Sequence, residues 1–403
     1  MQMSLNISNR ALRRARCFCQ LLQSHPPLEA PEAVGGAGGI QAQDIAAAAF
    51  SVRTRSPALS VADLAGAVHE ARGLVLTWTM RGTRHLHPAA DVGWLLAVFG
   101  PVFGRPGRRA AELGIAGQAG DRAQAAIRRA LEGGATPTRS QLKAVLAAAG
   151  VDAGGQAPIH AIRRAALAGV LSVLPDFHDG FHDGFHDGRN GGPPSRAGGD
   201  ERYAALDAWI GPTEAVPRAE ALARLGRRFL QAYGPATPAD LRAWSGLPAG
   251  DVADAWAGTG TRVEVRGPAG PLWMLEQRQN DLLAPRSAPA AERGPVRLAG
   301  GFDALLLGYA DRSAHLAPEH AGRVNAGGGL IRPVVLDDGV VVGTWRYRRG
   351  RPAATGGDAV EVEPFAPPGR RLLRDLEAEC AAVGAFLGTR PRLNVAGASF
   401  SVG

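Results

Sequence analysis

Residues 237–275 read TPADLRAWSGLPAGDVADAWAGTGTRVEVRGPAGPLWML. Thr237 has the chemistry of a helix cap, and Pro238 and Pro248 suit the first turns of two short helices, because a first-turn residue needs no backbone N–H. Two β-type runs, TRVEVRG and PLWMLEQ, then flank a turn at Gly267 to Gly270. A longer amphipathic stretch, PRAEALARLGRRFLQAYG, comes before them. Three helices followed by a β hairpin is the order of a winged helix, a helix-turn-helix with a β wing.

The same order recurs upstream without close sequence repetition. The second copy has TPTRSQLKAVLAAAG, in which Thr138 looks like a cap, then APIHAIRRAALAG and the strand VLSVL at 170–174. The first begins with a helix over residues 9–23 and continues through GGIQAQDIAAAAF and SVADLAGAVHEA, with Ser60 as N-cap. It closes with LVLTWTM and TRHLH around Arg81-Gly82, after which Pro88 is placed to open the helix AADVGWLLAVF. From Arg297 the texture turns to β, Asp337-Asp338-Gly339 signals a hairpin, and residues 368–386 have helical spacing. The expected fold is therefore α+β: three tandem winged-helix units and a C-terminal β-rich element. The expected units are 1–115, 116–212 with a low-complexity loop at 176–200, 213–285 and 286–403.

Composition bounds the function. The chain has 403 residues, 45% hydrophobic and 20% charged, as expected of a globular protein of several domains. No window has the roughly 18 uninterrupted apolar residues of a spanning helix, so no membrane partner is expected and a cytoplasmic location is the default. Cys17, Cys19 and Cys380 form neither a disulfide framework nor zinc spacing and are expected to pack in the core. A net charge of +8 suits an anionic partner, although 37 acidic residues are interspersed with the basic ones. Lys143 is the sole lysine, which restricts any imine chemistry to it or the α-amino group.

Several motifs have a bland reading beside the sharper one. FHDGFHDGFHDG, from Phe177, contains potential metal ligands, but an exact tandem repeat in a Gly-rich stretch reads as a low-complexity loop, and no metal site is assigned. GGAGG at 35–39 lacks the Lys-Ser/Thr of a phosphate loop and reads as a flexible approach to the next segment. Arg105, Arg108 and Arg109 form a basic cluster, either a solvated loop or a phosphate contact. In TWTMRGTRHLH, the wing residues Arg81, Thr83, Arg84 and His85 are either structural or aimed at a phosphate backbone. Tyr309, Asp311 and Arg312 in GYADRSAHLAPEH either stabilise a turn or line a cleft between the β region and the helical units, and are taken with Arg81, Thr83, Arg84, His85, Arg105 and Arg108 as the expected DNA contacts.

GIQAQD, TMRGTRHLHPAAD, FDALLLGYADRSAHLAPEH and RPVVLDDGVVVGTWR together resemble, in order and spacing, the winged-helix DNA glycosylases that unhook interstrand crosslinks, the AlkZ-like proteins. The resemblance extends over residues 9–390. It implies three winged-helix units and a β element forming a concave, C-shaped DNA-binding surface. It also implies a catalytic glutamine-apolar-glutamine motif, which falls on Gln41, Ala42 and Gln43. Gln43 places the chain with the crosslink-unhooking group, since a related subgroup has aspartate there. Arg84 and His87 depart from the pattern by standing where aliphatic residues are expected, and residues 325–329 are unusually Gly-rich.

Neutral amides suit a cationic lesion. A purine alkylated at N7 or N3 carries a positive charge and leaves without a general acid, so the protein has only to hold a water against the sugar. The reading is a monofunctional DNA glycosylase without cofactor or metal, acting on bulky N-alkylated purines in double-stranded DNA, with Gln41 and Gln43 catalytic. Asp44 is either a third participant or the carboxylate of a helix N-terminus. Unhooking of interstrand crosslinks and resistance to a DNA-alkylating natural product follow from the resemblance, as does a nucleoid-associated cytoplasmic location; no obligate protein partner is evident. The alternative is a non-catalytic winged-helix regulator or damage-binding protein.

Overall fold

The computed structural model describes residues 5–23, 26–152, 154–177, 200–279, 293–327, 329–350 and 357–397. The FHDG repeat, from His178 onward, lies outside them. The protein is a mixed α+β fold, with three sheets among the described residues. One connected apolar cluster contains residues from Cys17 to Val395, and all three cysteines are buried.

The 237–275 stretch forms the elements its sequence predicts. Helix Pro238–Ser245 is opened by a capping box in which the Thr237 side chain accepts from the Asp240 N–H and Asp240 answers the Thr237 N–H. Gly246, at φ 71, ends it in the left-handed conformation. Pro248 caps helix Ala249–Ala257 from just outside rather than sitting in its first turn. Strands Arg262–Gly267 and Gly270–Leu275 pair antiparallel, and Leu5–Asn6 adds a third, parallel strand at the edge.

The two upstream copies do not have separate wings. Leu171–Leu174 pairs with Leu74–Trp78 on one side and with Arg202–Ala205 on the other. The result is one antiparallel five-stranded sheet in the order Ile40–Gln41, Arg84–Pro88, Leu74–Trp78, Leu171–Leu174, Arg202–Ala205. Both segments need a partner for a buried apolar strand, and joining edge to edge satisfies both sets of backbone groups. Pro88 closes strand Arg84–Pro88 instead of opening a helix; the turn Ala89–Asp91 intervenes before helix Val92–Phe103. The first helix is also shorter than expected, Asn9–Cys19, capped by Ser8.

GGAGG is no flexible approach. Helix Ala30–Gly36 runs into it, and Gly38 and Gly39 turn the chain at φ 78 and 98. A Cβ on Gly39 would lie 2.5 Å from the His87 ring, so only glycine fits between this turn and the sheet.

Beyond residue 293, a second five-stranded sheet runs Arg392–Val395, Ala359–Pro364, Val340–Arg348, Val334–Asp337, Val296–Ala299. Asp338 and Gly339, at φ 51 and 76, make the two-residue turn between Val334–Asp337 and Val340–Arg348 that the sequence signals. Helix Arg370–Leu387 packs on its Val296–Ala299 edge. Between the two large sheets lies helix Ile45–Arg55, every residue of which is buried. Its alanines permit close approach: a Cβ on Gly300 would collide with the Ala47 carbonyl. Its two arginines are matched, Arg55 bidentately by Asp303 at 2.8 and 3.0 Å and Arg53 by Glu379 at 2.5 Å.

Candidate active site

Helix Ile45–Arg55 sets the position of the glutamine pair, because the segment before it is an edge strand of the first large sheet. Ile40 and Gln41 pair with Leu86 and His85, and the Ala42 N–H donates to the Arg84 carbonyl at 2.8 Å. Ala42 is fully buried. Alternation along an extended chain then puts Gln41 and Gln43 on the opposite side, where Gln41 meets the turn Met80–Gly82 and Gln43 the start of strand Arg84–Pro88.

Each amide is held by an arginine. Arg81 Nη2 donates to Gln41 Oε1 at 2.9 Å, and Arg81 Nη1 donates to the Trp244 carbonyl. Gln43 Oε1 receives the Arg84 backbone N–H at 3.1 Å and Arg84 Nε at 3.3 Å. Arg84 Nη2 donates to the Gln43 carbonyl at 2.9 Å, and Arg84 Nη1 pairs with Glu201, which also accepts from the Tyr203 hydroxyl at 2.7 Å. Arginine has no acceptor, so the atom facing it in each amide must be oxygen, and both –NH₂ groups turn away from the arginines. Gln41 is 8% exposed and Gln43 half-buried.

Asp44 caps helix Ile45–Arg55, its Oδ1 accepting from the Ala47 N–H at 2.9 Å, and is buried.

The other candidate residues divide. Arg81 adopts φ 54 in a turn closed by bonds from Gly82 N–H to the Thr79 carbonyl and from Thr83 N–H to the Met80 carbonyl, and the Thr83 hydroxyl donates to that same Met80 carbonyl at 3.1 Å. His85 is 2% exposed, its Nδ1 3.0 Å from the Thr83 carbonyl. Burial and the charge of Arg81 hold its imidazole well below the ordinary range. Tyr309, also 2% exposed, donates to the Tyr233 carbonyl at 3.0 Å and lies under the Arg16 guanidinium. His85 and Tyr309 are thus core groups with no surface for a phosphate, a correction to the expectation that they contact DNA. Asp311 is exposed and organises its own turn through the Ser313 N–H and hydroxyl at 2.8 and 2.9 Å. Arg312 comes near the site: it reaches Asn325 Oδ1 at 3.3 Å and its charge acts on Arg81. Arg105 and Arg108, before and on the short helix Arg108–Glu112, are exposed, with Arg108 paired to Glu112 at 2.8 Å.

Four participants escaped the sequence reading: Trp244, Gly246, Glu201 and Arg163. The first two come from the 237–275 helix pair, brought to the turn only by tertiary packing. A Cβ on Gly246 would lie 3.0 Å from Arg81 Cγ and 3.1 Å from its Cα. Glu201 follows the low-complexity stretch, where nothing marks it. Arg163, on helix Ala157–Leu167, lies over Gly82, so that a Cβ there would collide with its Nη2. Among the described residues, no group of three or more His, Cys, Asp or Glu is placed to hold a metal ion, and no helix is long and apolar enough to cross a membrane.

The glutamine pair is thus held at a sheet edge, with an arginine on each amide. The sequence profile of the family described as "DNA glycosylase AlkZ-like" matches residues 34–386, a range that contains the glutamines, the turn and four of the five strands of the second large sheet. The chain belongs to the AlkZ-like DNA glycosylases.

Two relatives of this AlkZ-like chain come from Streptomyces sahachiroi. An interstrand DNA cross-link repair glycosylase is 32% identical over 183 residues, a stretch amounting to 43% of each chain. The solved structure of the DNA glycosylase AlkZ superposes with a TM-score of 0.75 at 25% identity, covering 97% of this chain and 99% of that one. The AlkZ-like architecture is thus matched over essentially the whole length, whereas sequence similarity to the curated relative is confined to less than half of it.

Proposed function

We propose that this protein is a monofunctional DNA glycosylase that hydrolyses the N-glycosidic bond of bulky N-alkylated purines of the N7-alkylguanine type, in monoadducts and in interstrand crosslinks. The observation that carries this reading is the pair of neutral amides, Gln41 and Gln43, each held by an arginine, with the adjacent carboxylate Asp44 occupied as a helix cap. Neutral amides position water but do not protonate a leaving group, which suits the site to leaving groups that are already activated. A water oxygen bonds to the sugar C1′ as the C1′–N bond breaks. The bonding pair moves into the purinium ring and neutralises it, and the water proton passes to solvent. Lys143, exposed on helix Arg139–Ala148, belongs to another element than the glutamines, in keeping with hydrolysis rather than imine formation.

Three tandem winged-helix units with a concave DNA-binding face are part of the same reading. The helix-helix-hairpin of 237–275 supports it, as do the exposed arginines Arg105 and Arg108. A crosslinked nucleotide remains tethered to the opposite strand, so the lesion is expected to be approached in place rather than flipped into a deep pocket. Resistance to a DNA-alkylating natural product is the physiological role this chemistry fits.

The test is an excision assay on duplex DNA carrying N7-alkylguanine, comparing wild type with Gln41→Ala and Gln43→Ala. Wild type should release the base and leave an abasic site, and each variant should lose roughly 10²-fold in rate. Tight binding by wild type without abasic product on any such lesion would instead make the protein a damage-binding factor.

A further inference from the structure

We propose that Arg81 is a positioning residue that fixes the Gln41 amide, so that Gln41, and not Gln43, supplies the acceptor that holds the hydrolytic water. This rests on the reading of the glutamine pair given above.

A carbonyl oxygen has two lone pairs, and the two glutamines differ in how many remain. Gln43 Oε1 already receives two donors, the Arg84 backbone N–H at 3.1 Å and Nε at 3.3 Å, and keeps only its –NH₂ for a ligand. Gln41 Oε1 receives one donor, Arg81 Nη2 at 2.9 Å, and keeps a lone pair as well as its –NH₂. Gln41 can therefore accept a hydrogen bond from the attacking water and aim its oxygen, whereas Gln43 can only donate, to the lesion's sugar-phosphate oxygens or to the water itself.

Arg81 is built to hold that amide. Its backbone sits at φ 54, where a non-glycine residue persists only if its surroundings demand it. The demand comes from both sides. The turn bonds of Thr79 to Thr83 close around it, and Gly246 lies so near that a methyl there would press on Arg81 Cγ and Cα. The guanidinium bridges two segments, Nη1 to the Trp244 carbonyl and Nη2 to Gln41. With both terminal nitrogens engaged inside the protein, and with burial lowering its proton affinity, Arg81 is poorly placed to grip a phosphate. Lysine, a point donor, cannot span both partners.

Single-turnover excision and lesion-DNA affinity separate positioning from binding. Arg81→Met should slow excision by about 10- to 100-fold. Its lesion-duplex affinity should stay within about twofold of wild type with an unchanged salt slope, and Arg81→Lys should recover part of the rate. In a Gln41→Ala background, Arg81→Met should cost less than about twofold more, but its full effect should persist with Gln43→Ala. A loss that multiplies that of Gln41→Ala overturns the proposal. So does weakened affinity with a salt slope shallower by about 1, the signature of a phosphate contact.

Glutamine-selective ¹⁵N NMR decides the anchoring independently of activity. The Gln41 side-chain –NH₂ signals should shift on Arg81→Met, and unmoved signals overturn the proposal. A wild type that excises no alkylated base sinks the glycosylase reading instead, while the NMR comparison still decides whether Arg81 holds the amide.

Discussion

Gly39 and His87 show how single positions govern the edge strand that carries Gln41. Gly39 precedes Ile40–Gln41 at φ 98 with the His87 ring against its Cα. Gly39→Ala should destabilise the protein by about 1–2 kcal/mol from backbone strain alone, with the steric conflict in addition. Urea denaturation measures the loss, and excision should fall because Gln41 moves with the strand. His87, an unexpected residue for this wing, accounts for itself in the fold: its Nε2 lies 2.9 Å from the Thr79 hydroxyl, at the base of the Arg81 turn. At this scale the family resemblance of GIQAQD singles out the glutamines, and the alternation of an extended chain explains why both meet residues 81–84. The partners that orient them, Arg81, Arg84, Trp244 and Glu201, are 40 to about 200 residues away, and no local pattern connects them to the motif.

Among the elements, helix Ile45–Arg55 is the one to disrupt. Its Arg55–Asp303 pair is fully buried, with Gln20 accepting a further Arg55 bond at 2.8 Å. Removing one partner leaves a buried charge unmatched, so Arg55→Met should cost about 3–5 kcal/mol, and Asp303→Asn should cost a comparable amount. Chemical denaturation of the two single variants and the double variant checks this, and the double should be less destabilised than the sum of the singles. The helix itself is legible from IAAAAF, but its complete burial is not, because charged residues at its end read as a solvated terminus. A similar device joins helix Val92–Phe103 to the third segment. Pro101 has no N–H for the Ala97 carbonyl, and Arg218 Nη1 supplies that carbonyl with a donor at 2.9 Å.

For the whole molecule, acid lability is the expectation. Burial holds His87 down at about 4, His315 at about 3 and His85 well below 6.5, so all three are neutral in the native state at pH 7. In the unfolded chain they protonate near 6.5, and the unfolded state then binds more protons. The stability these groups contribute is therefore complete above pH 6.5 and is lost as pH falls from 6.5 towards 4 and 3. For His87 alone the difference is about 3 kcal/mol. Glu379 adds to the loss at lower pH: burial pushes its carboxyl up, but Arg53 and Arg297 outweigh burial and hold it below the ordinary range. Urea midpoints at pH 7.5, 6 and 5 should fall in that order, and His87→Asn should flatten the dependence; a midpoint constant from pH 7.5 to 5 contradicts it.

The sequence by itself determined the local alphabet of this protein: the capped helices at Thr237 and Thr138, the Asp338-Gly339 hairpin, the β texture after Arg297 and the glutamine pair. These depend on side chains within a few residues of one another, where capping, turn chemistry and periodicity operate. Only the tertiary structure decided that strands from two segments share one sheet, that Asp44 caps a helix, that His85 and Tyr309 are buried, and that arginines orient the two amides differently. Strand partners and buried charges are chosen by the pairing of distant backbone groups and by desolvation, and neither has a signature in the spacing of residues along the chain.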